Sequence, residues 1–164
     1  MANHPVYPIT CPNQKGRLLL TPCPGLKGIE LVDALKQFKK SGVTAILTLM
    51  LESEIYENNL NNIEVLCEEN DMQWFNLPIV DEGVPHDEFD LLWDKYKKEI
   101  HAILDDNESI VIHCKGGSGR TGLVAAKILL ERGADFDQTI KQIKTIRPSA
   151  FSHAVQVEYM AQYK

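Results

Sequence analysis

Residues Val111 to Gly133 have the sequence VIHCKGGSGRTGLVAAKILLERG, and this stretch decides how the rest of the chain is interpreted. A short apolar run typical of a buried strand leads into His113 and Cys114, and an apolar helical pattern begins near Arg120. Four glycines lie within residues 116–122, although glycine loses more backbone freedom on folding than any other residue. Glycines at a strand–helix junction therefore predict a loop whose backbone comes close to a bound group.

The composition is that of an ordinary folded domain. The chain has 164 residues, of which 44% are hydrophobic and 24% are charged, so we predict a single domain over residues 1–164. The formal net charge of −6 disfavours nucleic acid and anionic membranes as partners. No apolar run approaches the ~20 residues that span a bilayer, and the first residues lack a signal-peptide pattern. We therefore expect a cytoplasmic protein without stable membrane association, and we also expect it to be a monomer.

Strand and helix patterns alternate along the chain with short connections. Strands are predicted in YPIT and RLLLT, joined by the turn CPNQKG, and in VTAILTLM, QWFNLP and SIVIHC. Helices are predicted in ELVDALKQFKKSG, NLNNIEVLCEEND and DLLWDKYKKEIHAIL, and at about Arg120–Arg132, Asp137–Ile146 and Ser152–Tyr163, with Asp135 and Gln138 as a capping pair.

This alternation predicts an α/β fold with a central, mostly parallel sheet of about five strands and helices on both faces. In such sheets ligands bind at the carboxyl ends of the strands, next to helix N-termini. The glycine-rich stretch occupies such a place, so its N–H groups and the following helix dipole favour an anion.

Two kinds of phosphate-binding loop could fit this stretch. In the nucleotide-binding pattern G-x-x-x-x-G-K-[ST], Gly119 and Thr121 match, but Cys114 replaces the first glycine and Arg120 replaces the lysine. These two residues instead form C-x5-R. A thiol at a helix N-terminus beside an arginine is expected to be a nucleophilic thiolate. The Arg120 guanidinium matches two oxygens of a phosphate, Thr121 can donate to the sulfur, and His113 can order the loop.

Residues 113–121 carry the complete pattern H-C-x-x-G-x-x-R-[ST] and so resemble the signature of the cysteine-dependent protein phosphatase superfamily. Four further segments, LLLTPCPGLKG, FKKSGVTAILTLMLESEI, LPIVDEGVP and IRPSAFSHAVQ, are similar in the same order to its dual-specificity branch. They look most like the kinase-associated phosphatases and their prokaryotic relatives. The resemblance covers about Leu18 to Gln156. It implies hydrolysis of phosphotyrosine and phosphoserine or phosphothreonine in proteins or peptides through a phosphocysteine, without a metal or cofactor.

The resemblance also implies roles for particular residues. The catalytic residues are expected to be Cys114 as nucleophile, Arg120 and Thr121 in the loop, and Asp81 of LPIVDEGVP as general acid, with Glu82 as the alternative acid. Substrate binding is expected from Lys115, Gly116, Gly117, Ser118, Gly119 and Arg120, with His113 and Gln156 in support. Glu54, Arg147 and Gln156 are recurrent features of the family, and each could contact substrate or catalytic water or be merely structural.

Three alternatives stay open at this stage. Lys115 either points to solvent or selects a more anionic substrate, since phosphatases of the phosphoinositide 3-phosphate share HCK here and have a second lysine at the position of Ser118. The second alternative is a binding module that holds phosphorylated partners without turnover; its marker would be loss of the cysteine, arginine or aspartate, and all three are present. Cys67 or Cys23 is either a packed thiol or the partner of Cys114 in a reversible disulfide.

Overall fold

The computed structural model describes residues 3–12 and 15–164. These residues form five strands and seven helices: β1 (Tyr7–Thr10), β2 (Arg17–Thr21), α1 (Leu31–Lys40), β3 (Val43–Thr48), α2 (Glu52–Glu57), α3 (Ile63–Glu69), β4 (Gln73–Asn76), α4 (Asp87–Asp105), β5 (Ser109–His113), α5 (Gly119–Glu131), α6 (Phe136–Ile146) and α7 (Ala154–Ala161).

The strands form one sheet in the order β1-β2-β5-β3-β4. β1 is antiparallel to β2, and the other neighbouring pairs are parallel, so the predicted mostly parallel sheet of about five strands is confirmed. Thr21 and Thr48 both pair with His113, and Thr48 also pairs with Asn76. Four parallel strands therefore end at the same edge, and the loops that follow them lie side by side.

Helices cover both faces of the sheet, as predicted. The alternating side chains of β5 belong to two different hydrophobic clusters. Ile110 and Ile112 pack in the cluster that includes α4 and α5, while Val111 packs in the cluster that includes α1 and α3. All five residues of β5 are buried, which explains its nearly continuous apolar sequence.

Three helix predictions were incomplete. The short helix α2 was not predicted, because only Ile55 of its six residues is buried and no apolar periodicity marks it. α3 begins at Ile63 rather than at Asn59, where the predicted segment starts, since Asn59 has a left-handed backbone with φ of 59°. α4 begins at Asp87, inside the segment predicted as loop.

Two terminal details of the predictions have different outcomes. The Asp135 carboxylate accepts the N–H of Gln138 at 2.9 Å, so this helix cap is confirmed. The predicted turn CPNQKG includes residues 13 and 14, which lie outside the described residues.

Across residues 3–12 and 15–164, none of the helices has the length and apolar character needed to span a membrane.

Candidate active site

The loop between β5 and α5 surrounds the sulfur of Cys114. Gly117 donates its backbone N–H to Cys114 Sγ at 3.3 Å, and the Thr121 hydroxyl donates to the same atom at 3.1 Å. Both donors are placed to stabilise negative charge on the sulfur. The expected contact between Thr121 and the nucleophile is therefore present in the structure.

The carbonyl groups of the loop are bound on its outer side. The Lys115 carbonyl accepts the N–H of Cys23 at 2.9 Å. Arg147 donates to the carbonyls of Gly116 at 2.8 Å and Gly117 at 3.0 Å. In a trans peptide the next N–H points away from the carbonyl. The N–H groups of residues 116–118 therefore point away from these partners, and the N–H of Gly117 contacts Cys114 Sγ.

Arg147 is consequently a structural partner of the loop. Besides the two carbonyls, it donates to Ser118 Oγ at 3.1 Å, and its guanidinium lies 4.3 Å from the ring centre of Tyr7. It also forms the C-cap of α6. The sequence left open whether Arg147 contacts substrate or catalytic water or is structural. In the structure Arg147 binds the carbonyl groups of the loop from the C-terminal end of α6.

Gly117 occupies a position that requires glycine. Its φ is 77°, and a Cβ there would lie 2.5 Å from backbone atoms of Thr21 and Pro22. The close packing of the loop against the end of β2 explains one of the glycines that drew attention in the sequence.

Arg120 is held by charged and polar partners although it is only 1% exposed. Its two terminal nitrogens donate to the Glu54 carboxylate at 2.8 and 3.0 Å, and one also donates to the Ile79 carbonyl at 3.0 Å. Burial opposes the charged form, but the hydrogen bonds that Arg120 donates to Glu54 and the charges of Cys114, Glu54 and Asp81 outweigh it and raise the pKa of Arg120. Arg120 Nε is buried without a hydrogen-bond partner among the described residues.

The sequence left the role of Glu54 open, and the structure shows that it forms an ion pair with Arg120. Its carboxylate also accepts the N–H of Leu51 at 2.9 Å, which closes the first turn of α2. The unpredicted helix α2 is therefore the element that carries the partner of Arg120.

A chain of hydrogen bonds orders His113 under the loop. Burial lowers the pKa of His113 to about 4, so the ring is neutral at physiological pH. Its Nδ1 lies 3.1 Å from the Cys114 carbonyl and must donate to it, which leaves Nε2 to accept the Thr48 hydroxyl at 2.7 Å. Thr48 Oγ1 in turn accepts the indole N–H of Trp74 at 2.8 Å.

The loop after β4 places Asp81 against the site. Asp81 Oδ1 lies 3.4 Å from a terminal nitrogen of Arg120, and the Asp81 side chain is 68% exposed. Glu82, the alternative acid, has a left-handed φ of 63° and donates its N–H to Asp81 Oδ1 at 3.0 Å. Both residues line the same pocket, but the recorded contact with Arg120 belongs to Asp81.

A pocket of about 190 Å³ opens above the sulfur. Its lining includes most of the residues that the sequence singled out together with three that it did not: Asp81, Glu82, Cys114, Gly116, Ser118, Gly119, Arg120, Ser149, Ser152, His153 and Gln156. Sequence reasoning missed Ser149, Ser152 and His153, although all three belong to the segment IRPSAFSHAVQ that carries part of the resemblance.

Gln156 connects this pocket to the loop of Asp81. It is fully buried and donates from Nε2 to the Gly83 carbonyl at 3.3 Å, while its Oε1 has no partner among the described residues. Lys115, by contrast, is exposed and lines a neighbouring cavity rather than this pocket.

Cys23 and Cys67 are both buried free thiols. Burial raises the pKa of each to about 12, and the charge of Cys114 acts on Cys23 in the same direction. Cys23 adjoins the catalytic loop through its bond to Lys115, whereas Cys67 packs in the cluster on the α1 and α3 face. The reversible disulfide stays a prediction.

Within the described part of the chain, no group of three His, Cys, Asp or Glu residues is arranged to hold a metal ion.

The central strand of the mostly parallel sheet leads into a loop that contains Cys114 and Arg120 and lies at the N-terminus of α5. This combination of fold and site is that of a cysteine-dependent phosphatase. The chain is a member of the family described as Tc-R-P, polymorphic toxin system, DSP-PTPase phosphatase, which matches residues 26–134. The resemblance to dual-specificity phosphatases is thereby confirmed.

Individual relatives agree with this assignment. The chain is 26% identical over 132 residues to cyclin-dependent kinase inhibitor 3 of Rattus norvegicus, which corresponds to 79% of this chain and 61% of the rat protein. It is 24% identical over 159 residues to the PRL-1 phosphatase of Drosophila melanogaster, covering 88% of this chain and 85% of that protein. The chain thus spans less than two thirds of the length of the rat relative.

The fold is shared with a solved structure of kinase associated phosphatase in which serine replaces the catalytic-site cysteine. The TM-score is 0.86 at 22% sequence identity, over 99% of this chain and 95% of that chain. At this level of identity the likeness establishes the fold, which agrees with the predicted dual-specificity phosphatase-like architecture.

Proposed function

We propose that the protein hydrolyses phosphotyrosine and phosphoserine or phosphothreonine monoesters of proteins through a phosphocysteine on Cys114. The observation that carries this proposal is the convergence at one pocket of a sulfur with two hydrogen-bond donors and a buried arginine whose Nε–H lacks a partner in the described part of the chain. A buried donor without a partner is costly. A phosphate oxygen in the pocket would satisfy it, and the family membership supports this interpretation.

In the first step, the Cys114 thiolate attacks phosphorus and the bond from phosphorus to the leaving oxygen breaks. Arg120 and the loop N–H groups bind the three remaining oxygens, where negative charge is spread in the transition state. Asp81 gives its proton to the leaving oxygen. The 3.4 Å separation between Asp81 and Arg120 supports this role, because both side chains must face the same phosphoryl group.

In the second step, water attacks the phosphocysteine and the sulfur–phosphorus bond breaks. Asp81, now a carboxylate, takes a proton from the water. The Thr121 hydroxyl stabilises the departing thiolate through the contact it makes in the free protein. Gln156, which lines the pocket and whose Oε1 has no partner within residues 3–12 and 15–164, orients the water in this proposal. The cycle needs no metal or cofactor, and we expect the protein to act as a cytoplasmic monomer.

A second candidate function is hydrolysis of a phosphoinositide or another polyphosphorylated small molecule. The observation that favours it is the position of Lys115, which lines a cavity next to the catalytic pocket together with Lys27. A third candidate, a binding module without turnover, would use the same pocket but would leave the phosphate ester intact.

The proposal is tested by measuring phosphate release in EDTA from matched phosphotyrosine, phosphothreonine and phosphoserine peptides and from soluble phosphoinositides. Cys114→Ser serves as the blank. We expect turnover of the peptides by the wild-type protein and none by the variant. Preference for the phosphoinositides would favour the second candidate, and tight binding without release of phosphate would favour the third.

A further inference from the structure

The catalytic pocket is the first of three cavities that follow one another across the surface. It shares Asp81 and Gly116 with a cavity of about 520 Å³, here called the basic pocket, which is lined by Leu26, Lys27, Asp81, Lys115 and Gly116. The basic pocket shares Leu26 with a third cavity of about 370 Å³, here called the outer pocket, which is lined by Pro24, Gly25, Leu26, Gly28, Ile29, Glu30, Leu31, Asn58 and Asn59. Because neighbouring cavities share lining residues, the three cavities lie side by side, and together they are called the groove.

The basic pocket carries two lysines from separate loops. Lys27 follows β2 and Lys115 follows β5, and the parallel alignment of these strands brings their loops together. Both side chains are exposed, and neither takes part in an ion pair of the described residues. The carboxylate in this cavity is Asp81, whose Oδ1 contacts Arg120 at 3.4 Å. On a chain with a net charge of −6, the two lysines form a local positive patch beside the catalytic pocket.

The outer pocket has a different character. Leu26 is 42% exposed at its entrance, and Glu30 adds a negative charge. Asn59 is exposed and offers an amide that can pair with a peptide backbone. This cavity therefore suits a neutral or basic stretch of extended chain and disfavours an acidic one.

We propose that the groove binds a phosphopeptide in which an acidic or phosphorylated residue directly neighbours the residue being dephosphorylated. The scissile phosphate occupies the catalytic pocket, the second anion contacts Lys27 and Lys115, and the following chain lies over Leu26 into the outer pocket. Because the catalytic pocket and the basic pocket are both lined by Asp81 and Gly116, the second charge is assigned to the position directly next to the phosphoresidue. A compact polyphosphorylated ring would fill the first two cavities and leave the third without a role. This inference rests on the proposed function.

The test compares phosphotyrosine peptides that carry Glu or phosphothreonine at the neighbouring position with otherwise identical peptides that carry Gln. The variant is Lys27→Met, because Lys27 lies outside the catalytic loop. Lys40→Met is the matched control, since Lys40 is an exposed lysine in the last turn of α1, just before β3 begins at the opposite edge of the sheet.

We expect the wild-type protein to prefer the acidic peptides and Lys27→Met to lose about fivefold in kcat/KM on them, through KM, as for one exposed charge contact. Its activity on the Gln peptide and on para-nitrophenyl phosphate should be unchanged, and Lys40→Met should behave as wild type. The preference should also weaken as salt is raised.

Equal kcat/KM for acidic and neutral peptides, or an equal loss on both in Lys27→Met, would overturn the inference. A Lys27-dependent preference for a soluble inositol polyphosphate over every peptide would overturn the peptide assignment. Absence of turnover on all substrates would instead overturn the proposed function. In that case the groove is tested by measuring the affinity of both peptides for Cys114→Ser. The acidic peptide should bind about fivefold tighter than the Gln peptide. Adding Lys27→Met to Cys114→Ser should abolish this difference.

Discussion

Arg120 depends on a residue that lies 66 positions earlier in the chain. Glu54 holds both terminal nitrogens of the guanidinium and so fixes the plane in which Arg120 meets a phosphate. We expect Glu54→Gln to lower kcat by about tenfold or more, because a misplaced catalytic group loses much of its effect. Glu52→Gln changes an exposed carboxylate on the same short helix and should leave kcat unchanged. Steady-state kinetics on a phosphotyrosine peptide measures both, and equal effects would contradict the role of Glu54.

The choice between Asp81 and Glu82 can be settled by the leaving group. Alkyl leaving groups need a proton much more than aryl ones, so Asp81→Asn should reduce kcat on phosphoserine peptides by about 100-fold and affect para-nitrophenyl phosphate far less. Glu82→Gln should change neither substrate. If Glu82→Gln instead produced the loss that depends on the leaving group, the general acid would be Glu82.

At the scale of elements, the catalytic loop is shaped by its contact with the end of β2. A Cβ at Gly117 would overlap backbone atoms, which cannot move aside easily, whereas a Cβ at Gly116 would meet no atom of the described residues within 4 Å. We therefore expect Gly117→Ala to lower the free energy of unfolding and to abolish measurable turnover, and Gly116→Ala to keep the wild-type stability. Chemical denaturation followed by activity assays compares them. Wild-type stability of Gly117→Ala would contradict this account of the loop.

At the scale of the whole molecule, the free energy of unfolding is expected to depend on pH through the buried His113. The pKa of His113 is lowered from 6.5 to about 4 by burial, so between these values the unfolded chain binds a proton that the folded chain excludes. Stability is therefore fully present above about pH 6.5 and declines as the pH falls toward 4. Over this window His113 alone should account for about 3 kcal/mol.

This pH dependence is measured as the free energy of urea unfolding at a series of pH values. His113→Asn should have a flatter profile between pH 6.5 and 4 than the wild type, whatever its absolute stability. The same substitution at the exposed His86 controls for the loss of an imidazole as such. Parallel profiles for wild type and His113→Asn would contradict the assignment of a buried neutral ring.

The five strands, six of the seven helices in the described part of the chain, and the Cys114 loop could be predicted from the sequence because the pattern of each lies in contiguous residues. The pattern from His113 to Thr121 contains the spacing, the glycines and the strand–helix junction together. The roles of Glu54 and Arg147 could not be derived this way. Each of them contacts a residue that is distant in the sequence. Which residue it contacts depends on how the strands align and on where α2 forms, and local sequence patterns predict neither.

The most direct test of the proposed chemistry is to look for the phosphocysteine itself. The wild-type protein is mixed with a fast aryl phosphate, quenched in acid within the first turnover, and analysed by peptide mass spectrometry. We predict that the mass of one phosphoryl group appears on Cys114, and that it accumulates further in Thr121→Ala because departure of the sulfur is slowed. Turnover with no phosphate on Cys114, or with phosphate on another residue, would contradict the account.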